Sequence, residues 1–216
     1  ANIACGAHAG DFATMRATIA LAQKHAVGIG AHPGFADREH FGRRELALSP
    51  AEIRELVTGQ ITRLAELATL RHVKPHGALY NLAARDATVA EAVVMAVRSI
   101  NPALVLYAPP LSELARIGRE KGLRVALEGF ADRTYQSDGK LTPRTQRNAL
   151  ITDEALAVAQ VLQIVGRGSV CATDGTEISI AADTICLHGD GAHAVAFATH
   201  LNRDLRAAGV ELRGLE

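Results

Sequence analysis

The feature that most constrains this chain is an alternation: short apolar runs, most of them ending near histidine or glycine, each followed by a segment of helical periodicity. The runs are Asn2 to Gly6, Val27 to His32, Arg71 to Lys74, Leu104 to Ala108, Leu123 to Glu128 and Thr184 to His188. Between them lie apolar stripes such as Met15, Ile19 and Ala22, or Ile53, Leu56, Val57, Ile61 and Leu64. Successive parallel strands need a crossover, which an amphipathic helix supplies, so the alternation predicts a parallel α/β sheet. About six such units favour a closed or nearly closed (β/α) TIM-like barrel, with a doubly wound sheet as the alternative. No Pro/Ser linker or low-complexity tract interrupts the 216 residues, so residues 1–216 read as one barrel domain.

Local signals place the helices. Asp11 is suited to cap a helix carrying Met15, Ile19 and Ala22 inward. Ser49-Pro50-Ala51-Glu52 is a capping box with proline at the first helical position. Asp86 caps a helix with the stripe Val89, Val93, Val97 and Ile100, stopped by Asn101-Pro102. Thr152 is expected to cap a helix with Leu156, Ala159, Leu162 and Ile164 or Val165 inward. Asp174-Gly175 predicts a two-residue hairpin turn. The irregular stretch from Gly129 to Ile151 is long enough to suggest a functional loop.

The stretch Arg71-His72-Val73-Lys74-Pro75-His76-Gly77-Ala78-Leu79-Tyr80-Asn81 reads as a short strand running into a loop rich in chemistry. Lys74 can hold an anion and His76 can move a proton near neutral pH. His8, His32 and His188 also fall at or just after strand ends, where a barrel carries its active site. Asp11 and Asp190 follow His8 and His188 closely enough to orient an imidazole or share a metal, or else to cap helices. Gly189-Asp190-Gly191 opens a helix whose amides can bind a phosphate or carboxylate. Arg43, Arg44, Arg133 and Arg144 lie in two long loops as anion donors or as solvated surface charge.

Other classes are excluded or weakened. A formal net charge of zero and the absence of tryptophan argue against a nucleic-acid partner. No apolar run approaches the roughly 18 residues of a membrane span. There is no GxxxxGK[ST] P-loop, HExxH pair or GxSxG elbow, and Cys5 lacks a nucleophile signature. Cys5, Cys171 and Cys186 share no CxxC spacing, which suits buried thiols in a reducing cytoplasm. Scattered histidines leave a divalent metal open without asserting one.

Six segments in order, ANIACGAHAGD, GIGAHPGFADREHFGRR, VKPHGALYN, EGFADRTY, PRTQ and ADTICLHGD, resemble the LamB/YcsF family. The resemblance implies a (β/α) barrel similar to the polysaccharide deacetylases. It also implies a cytoplasmic A subunit of ATP-dependent 5-oxoprolinase, working with subunits B and C, with ATP as co-substrate. The reaction implied converts 5-oxo-L-proline, ATP and water to L-glutamate, ADP and phosphate. Such families begin with a strand like DLNCDLGE, which does not precede Ala1 here, so a first strand is expected to be missing. The usual HGDTPGAV appears here as His188-Gly189-Asp190-Gly191-Ala192-His193-Ala194-Val195, and an aromatic is usual where Ala7 stands.

A five-membered lactam is a poor electrophile, so this chemistry needs a base, an acid and cationic donors. The expected roles are His76 as general base and His188 with Asp190 as acid or orienting partner. Lys74 and Arg43 serve as anion donors, and Tyr80 and Asn81 position the lactam. His8, Asp11, His32, Arg133 and Arg144 complete the expected substrate- and phosphate-binding set. Two alternatives stay open: a metal-dependent amide or N-acetyl hydrolase, and a non-catalytic subunit that binds substrate for its partners. Self-association is also open.

Overall fold

The computed structural model describes residues 1–190 and 194–214. The contacts of the chain group it into two compact units, Ala1–Ala126 and Leu127–Glu216. In the first, β1 (Asn2–Ala4), α1 (Phe12–Lys24), β2 (Gly30–His32), α2 (Pro50–Ala65) and β3 (His72–Val73) alternate as expected. Then come α3 (Gly77–Arg85), α4 (Ala87–Ile100), β4 (Val105–Ala108) and α5 (Glu113–Glu120). β1 pairs with β2, β2 with β3 and β3 with β4, all parallel. The α/β class with parallel strands is therefore as expected.

The expected caps are in place. The Asp11 side chain accepts from Thr14 N at 2.7 Å, and Met15, Ile19 and Ala22 are buried along α1. Ser49 and Glu52 form the reciprocal capping box of α2, which buries Ile53, Val57, Ile61 and Leu64. α4 buries valines and alanines on several sides because it packs against α2, α3 and α5. β2 starts with Gly30 for a steric reason: a Cβ there would lie 2.1 Å from Nε2 of His72. The His72 ring in turn stacks on Tyr107, centroids 4.3 Å apart, and bonds Asn2 Oδ1 at 2.8 Å.

One expectation about the central stretch is corrected. Residues 77–81 are the start of α3, so Tyr80 and Asn81 stand on a helix. Pro75 and Gly77 suggest a loop, but the apolar set Ala78, Leu79, Tyr80 and Ala83 is buried and pulls the segment into a helical turn. Gly77 makes this entry with φ of +54°, a left-handed conformation that suits glycine.

β5 (Val125–Phe130) runs from the first unit into the second. The second unit continues with α6 (Glu154–Arg167), β6 (Ser169–Cys171), β7 (Glu177–Ser179), β8 (Thr184–Cys186) and α7 (Ala194–Ala207). β5 pairs parallel with β8, while β6 and β7 form an antiparallel hairpin. The loop of that hairpin is longer than expected, since Ala172 N bonds Thr176 O at 2.8 Å and three residues remain in the turn. Ala131, Ala157, Val161, Phe197, Leu201 and Leu205 form a core cluster of this unit.

The α6 expectation shifts by one residue. Asp153, not Thr152, caps the helix, accepting from Ala155 N and Leu156 N. Ala157, Val161 and Ile164 face inward, leaving Leu156 63% exposed. The long stretch after β5 carries two isolated bridges, Arg133 with Leu150 and Tyr135 with Leu141. Gly191 of the expected Gly189-Asp190-Gly191 helix opening lies outside the described residues, as do Ala192 and His193. Among the described residues no helix is long and apolar enough to cross a membrane.

Candidate functional site

Parallel register explains why three histidines meet. Ala4 is opposite His32 and Ala31 is opposite Val73, so β1, β2 and β3 end side by side. His8 follows β1 by four residues, His32 closes β2, and His76 follows β3 by three. His8 lies flat on His76, centroids 3.9 Å apart and planes 1° from parallel. His32 stands edge-on to both, at 5.7 Å from His8 and 4.8 Å from His76. His8 and His76 are buried, and His32 is partly so.

The hydrogen bonds assign the protons. Nδ1 of His32 lies 2.7 Å from the carbonyl oxygen of Lys74, and Nε2 of His76 lies 2.8 Å from that of Phe41. A carbonyl oxygen only accepts, so both of these nitrogens carry hydrogen. The inner nitrogens, Nε2 of His32 and Nδ1 of His76, face each other at 2.9 Å. The proton-accepting atom of His76 in its neutral form is thus Nδ1. The third ring contributes a buried Nδ1 on His8 that has no hydrogen-bond partner.

Electrostatics keep His8 and His32 neutral. Burial, with the nearby positive charges of Arg38 and Arg43, pushes His8 down to about 4. Burial, with the charges of Lys74, His76 and His8, holds His32 well below the ordinary histidine range. Among the described residues these three rings are the group whose ligand atoms come close enough to hold a metal ion, all within 4.8 Å of one another.

The other expected residues fall into distinct places. Lys74 is buried, with its ammonium 5.9 Å from the centroid of the buried Tyr80 ring. Lys74 and His76 are therefore not solvated loop groups. Arg43 is exposed, its guanidinium 4.9 Å over the Phe41 ring. Asp11 is the exposed cap of α1, and Asn81 is an exposed position on α3.

In the second unit, the partner of His188 is Asp132, which sequence reasoning does not single out. Asp132 Oδ2 accepts from the His188 backbone N–H at 3.0 Å and lies 2.8 Å from its ring Nδ1. Burial tends to raise this carboxyl, but bonding to His188 and the charge of that ring outweigh it, leaving Asp132 below its ordinary value. Asp190 is exposed. Arg133 is buried rather than solvated, and its guanidinium donates to the carbonyls of Ala149 and Thr142 at 3.1 and 2.6 Å. It braces the long loop that also contains the half-buried Arg144.

Two positioning residues in the first unit are also missed by sequence reasoning. Gln60 accepts from Gly34 N at 3.0 Å and donates to Gly34 O at 2.8 Å, fixing the turn after His32. A glutamine on the buried face of α2, breaking its apolar stripe, is the available signal. Buried Asp37 bonds His40 at 3.0 Å and Arg44 at 3.3 Å, and its backbone carbonyl accepts from Gly42 N at 2.7 Å. It shapes the turn that presents the Phe41 carbonyl to His76. Burial raises the Asp37 carboxyl, but His40 and Arg44 together bring it below its ordinary value.

Comparison with known proteins places the chain in a family. The model of the LamB/YcsF family matches residues 1–216. The chain is 53% identical to the 5-oxoprolinase A subunit of Methylococcus capsulatus, covering 100% of this chain and 85% of that one. It is 52% identical to the 5-oxoprolinase A subunit of Brevibacillus brevis, covering 98% and 85% respectively. Among solved structures it is similar to the lactam utilization protein from Thermus thermophilus. That match has a TM-score of 0.91 and 42% identity, over 99% of this chain and 87% of the other.

Proposed function

This chain belongs to the LamB/YcsF family, and from that premise we propose that it is the A subunit of an ATP-dependent 5-oxoprolinase. What carries the reading is that relatives about half identical over essentially the whole chain bear that subunit name. The proposed reaction opens 5-oxo-L-proline to L-glutamate in the cytoplasm with ATP as co-substrate and two partner subunits, B and C. A closed or nearly closed (β/α) barrel of the polysaccharide-deacetylase type belongs to the same proposal, supported by the parallel strands and intervening helices.

The chemistry follows from the inertness of the lactam. ATP phosphorylates the lactam carbonyl oxygen, releasing ADP and leaving an activated carbon. Water then adds at that carbon, the ring C–N bond breaks, and the nitrogen leaves as the amine. A second water releases phosphate from the acyl phosphate. His76 supports this scheme through Nδ1, because its Nε2–H is committed to the Phe41 carbonyl. General-base help of this kind is worth about 10²–10⁴-fold. Buried Lys74 and the Arg43 guanidinium are cationic donors for the substrate carboxylate or the transferred phosphate. The Tyr80 ring packs beside Lys74, and the His188–Asp132 pair is a second candidate for proton transfer.

The test is glutamate release with each combination of subunits. With ATP and magnesium, the isolated chain is expected to turn over 5-oxoproline negligibly, and addition of both partners to restore turnover. An assembled three-subunit complex that leaves 5-oxoproline intact would overturn the proposal. Rapid turnover by the isolated chain would overturn the dependence on partners.

A further inference from the structure

The His8, His32 and His76 cluster contains an unfavourable contact. Nε2 of His32 and Nδ1 of His76 both present lone pairs in the neutral rings and face each other at 2.9 Å. Two lone pairs at that distance repel, and a shared cation resolves them. The outer nitrogens are arranged as in metal-bound histidines, each donating to a backbone carbonyl, here those of Lys74 and Phe41. That bond fixes the tautomer and turns the basic nitrogen inward. Next to this pair is a third, 2% exposed imidazole, His8, whose buried Nδ1 has no partner.

We propose that His8, His32 and His76 form a binding site for one divalent transition-metal ion of the zinc class. The donor set selects the ion: imidazole nitrogens suit zinc and its neighbours, whereas calcium and magnesium require oxygen ligands.

The geometry calls for small movements. Tetrahedral zinc with Zn–N near 2.1 Å sets its nitrogens about 3.4 Å apart. The His32–His76 pair must therefore open from 2.9 Å by a fraction of an ångström. His8 must turn its ring, since two stacked imidazoles cannot aim in-plane lone pairs at one point. The ring lies close against two glycines, where any side chain would crowd it. A Cβ at Gly34 would stand 2.7 Å from His8 Nδ1, and one at Gly42 would stand 2.7 Å from His8 Cβ. The fourth position is left to water or an anion, which Arg38 and Arg43 favour by charge. Three histidines with one open position is an arrangement of hydrolytic zinc sites, which supply carbonyl polarisation or an activated water.

A cation held by His76 Nδ1 occupies the atom named above as general base, so the two roles are alternatives at that atom, and the test of the site needs no lactam. Full-length chain stripped with a chelator is titrated with zinc chloride by calorimetry, and with cobalt chloride by absorption spectroscopy. One ion per chain is expected, with the visible bands of four-coordinate nitrogen-ligated cobalt. His32→Ala is expected to weaken zinc binding by at least about 100-fold. Gly34→Ala keeps all three ligands but crowds the His8 ring, its Cβ standing 2.7 Å from Nδ1. It is expected to weaken binding clearly even if His32→Ala fails to fold. His72→Gln, outside the cluster, should bind as the parent does. Absence of one-to-one binding by the folded parent would overturn the proposal, as would binding that persists undiminished in both His32→Ala and Gly34→Ala.

Discussion

Gly77→Ala tests whether the turn between β3 and α3 is as constrained as its geometry implies. Gly77 has φ of +54°, where an L-residue costs about 1–2 kcal/mol relative to glycine. The added Cβ would also lie 2.7 Å from the carbonyl oxygen of Gly42 and 3.3 Å from its carbonyl carbon. Both are backbone atoms, so no flexible side chain can yield. Gly42 O accepts from Ala78 N at 3.0 Å, and Phe41 O, one residue earlier, is the acceptor for His76. Relief of the clash must move this loop away from α3 and stretch both bonds. Overpacking of this type costs about 1–3 kcal/mol, so the total is about 3 kcal/mol. With a urea m-value of about 2–3 kcal/mol/M, the unfolding midpoint followed by circular dichroism should fall by about 1 M. An unchanged midpoint at equal m would refute the steric reasoning. A lower midpoint with unchanged histidine-ring NMR shifts would instead show that the turn does not position His76.

His72 is pushed down to about 3 by burial, aided by the positive charge of Lys74. Its neutral form is therefore favoured on folding. That stability is complete above the unfolded value near 6.5 and is lost as pH falls from there towards about 3. His72→Gln should flatten the pH dependence of unfolding free energy between pH 7 and 5 by about 2 kcal/mol, and an unaltered slope would count against it. For the second unit, Asp132→Ala and His188→Ala should each reduce turnover of the assembled complex, and the double variant should be scarcely worse than either single one. Additive losses would mean that the two do not act as a pair. Tyr135→Phe removes the hydroxyl oxygen that accepts from the buried Phe130 N–H at 2.9 Å. An unsatisfied buried donor costs about 1–3 kcal/mol, and a thermal midpoint equal to the parent's would show that another acceptor takes its place.

The elements legible in the sequence are those with a cap adjoining a clear stripe. Asp11 and the Ser49-Pro50-Glu52 box state their helices because the capping side chain and the buried positions lie within a few residues of each other. α3 is not legible because Pro75 and Gly77 punctuate it as a loop, while its short apolar set gains a partner only when α4 and α5 pack against it. The α6 register is ambiguous because leucine, valine and isoleucine occur on more than one side of it. Contact with α7 and Ala131 decides for Ala157 and Val161 over Leu156.

The candidate site divides along the same line, between what neighbours in sequence can say and what only neighbours in space can. Histidines after strand ends can be seen to gather, because parallel register brings the ends of β1, β2 and β3 together. Which nitrogen of each ring is basic cannot be seen. That depends on the carbonyl oxygens of Phe41 and Lys74, one of them 35 residues from the imidazole it binds. A carbonyl oxygen is offered by every residue, so no residue type marks the one that matters. The same holds for Asp132, one of two acids in its loop until β5 and β8 pair and bring it to His188. Composition and spacing can therefore nominate an imidazole for proton or metal chemistry. The direction in which it acts is assigned by backbone atoms, and at His76 that direction is towards His32.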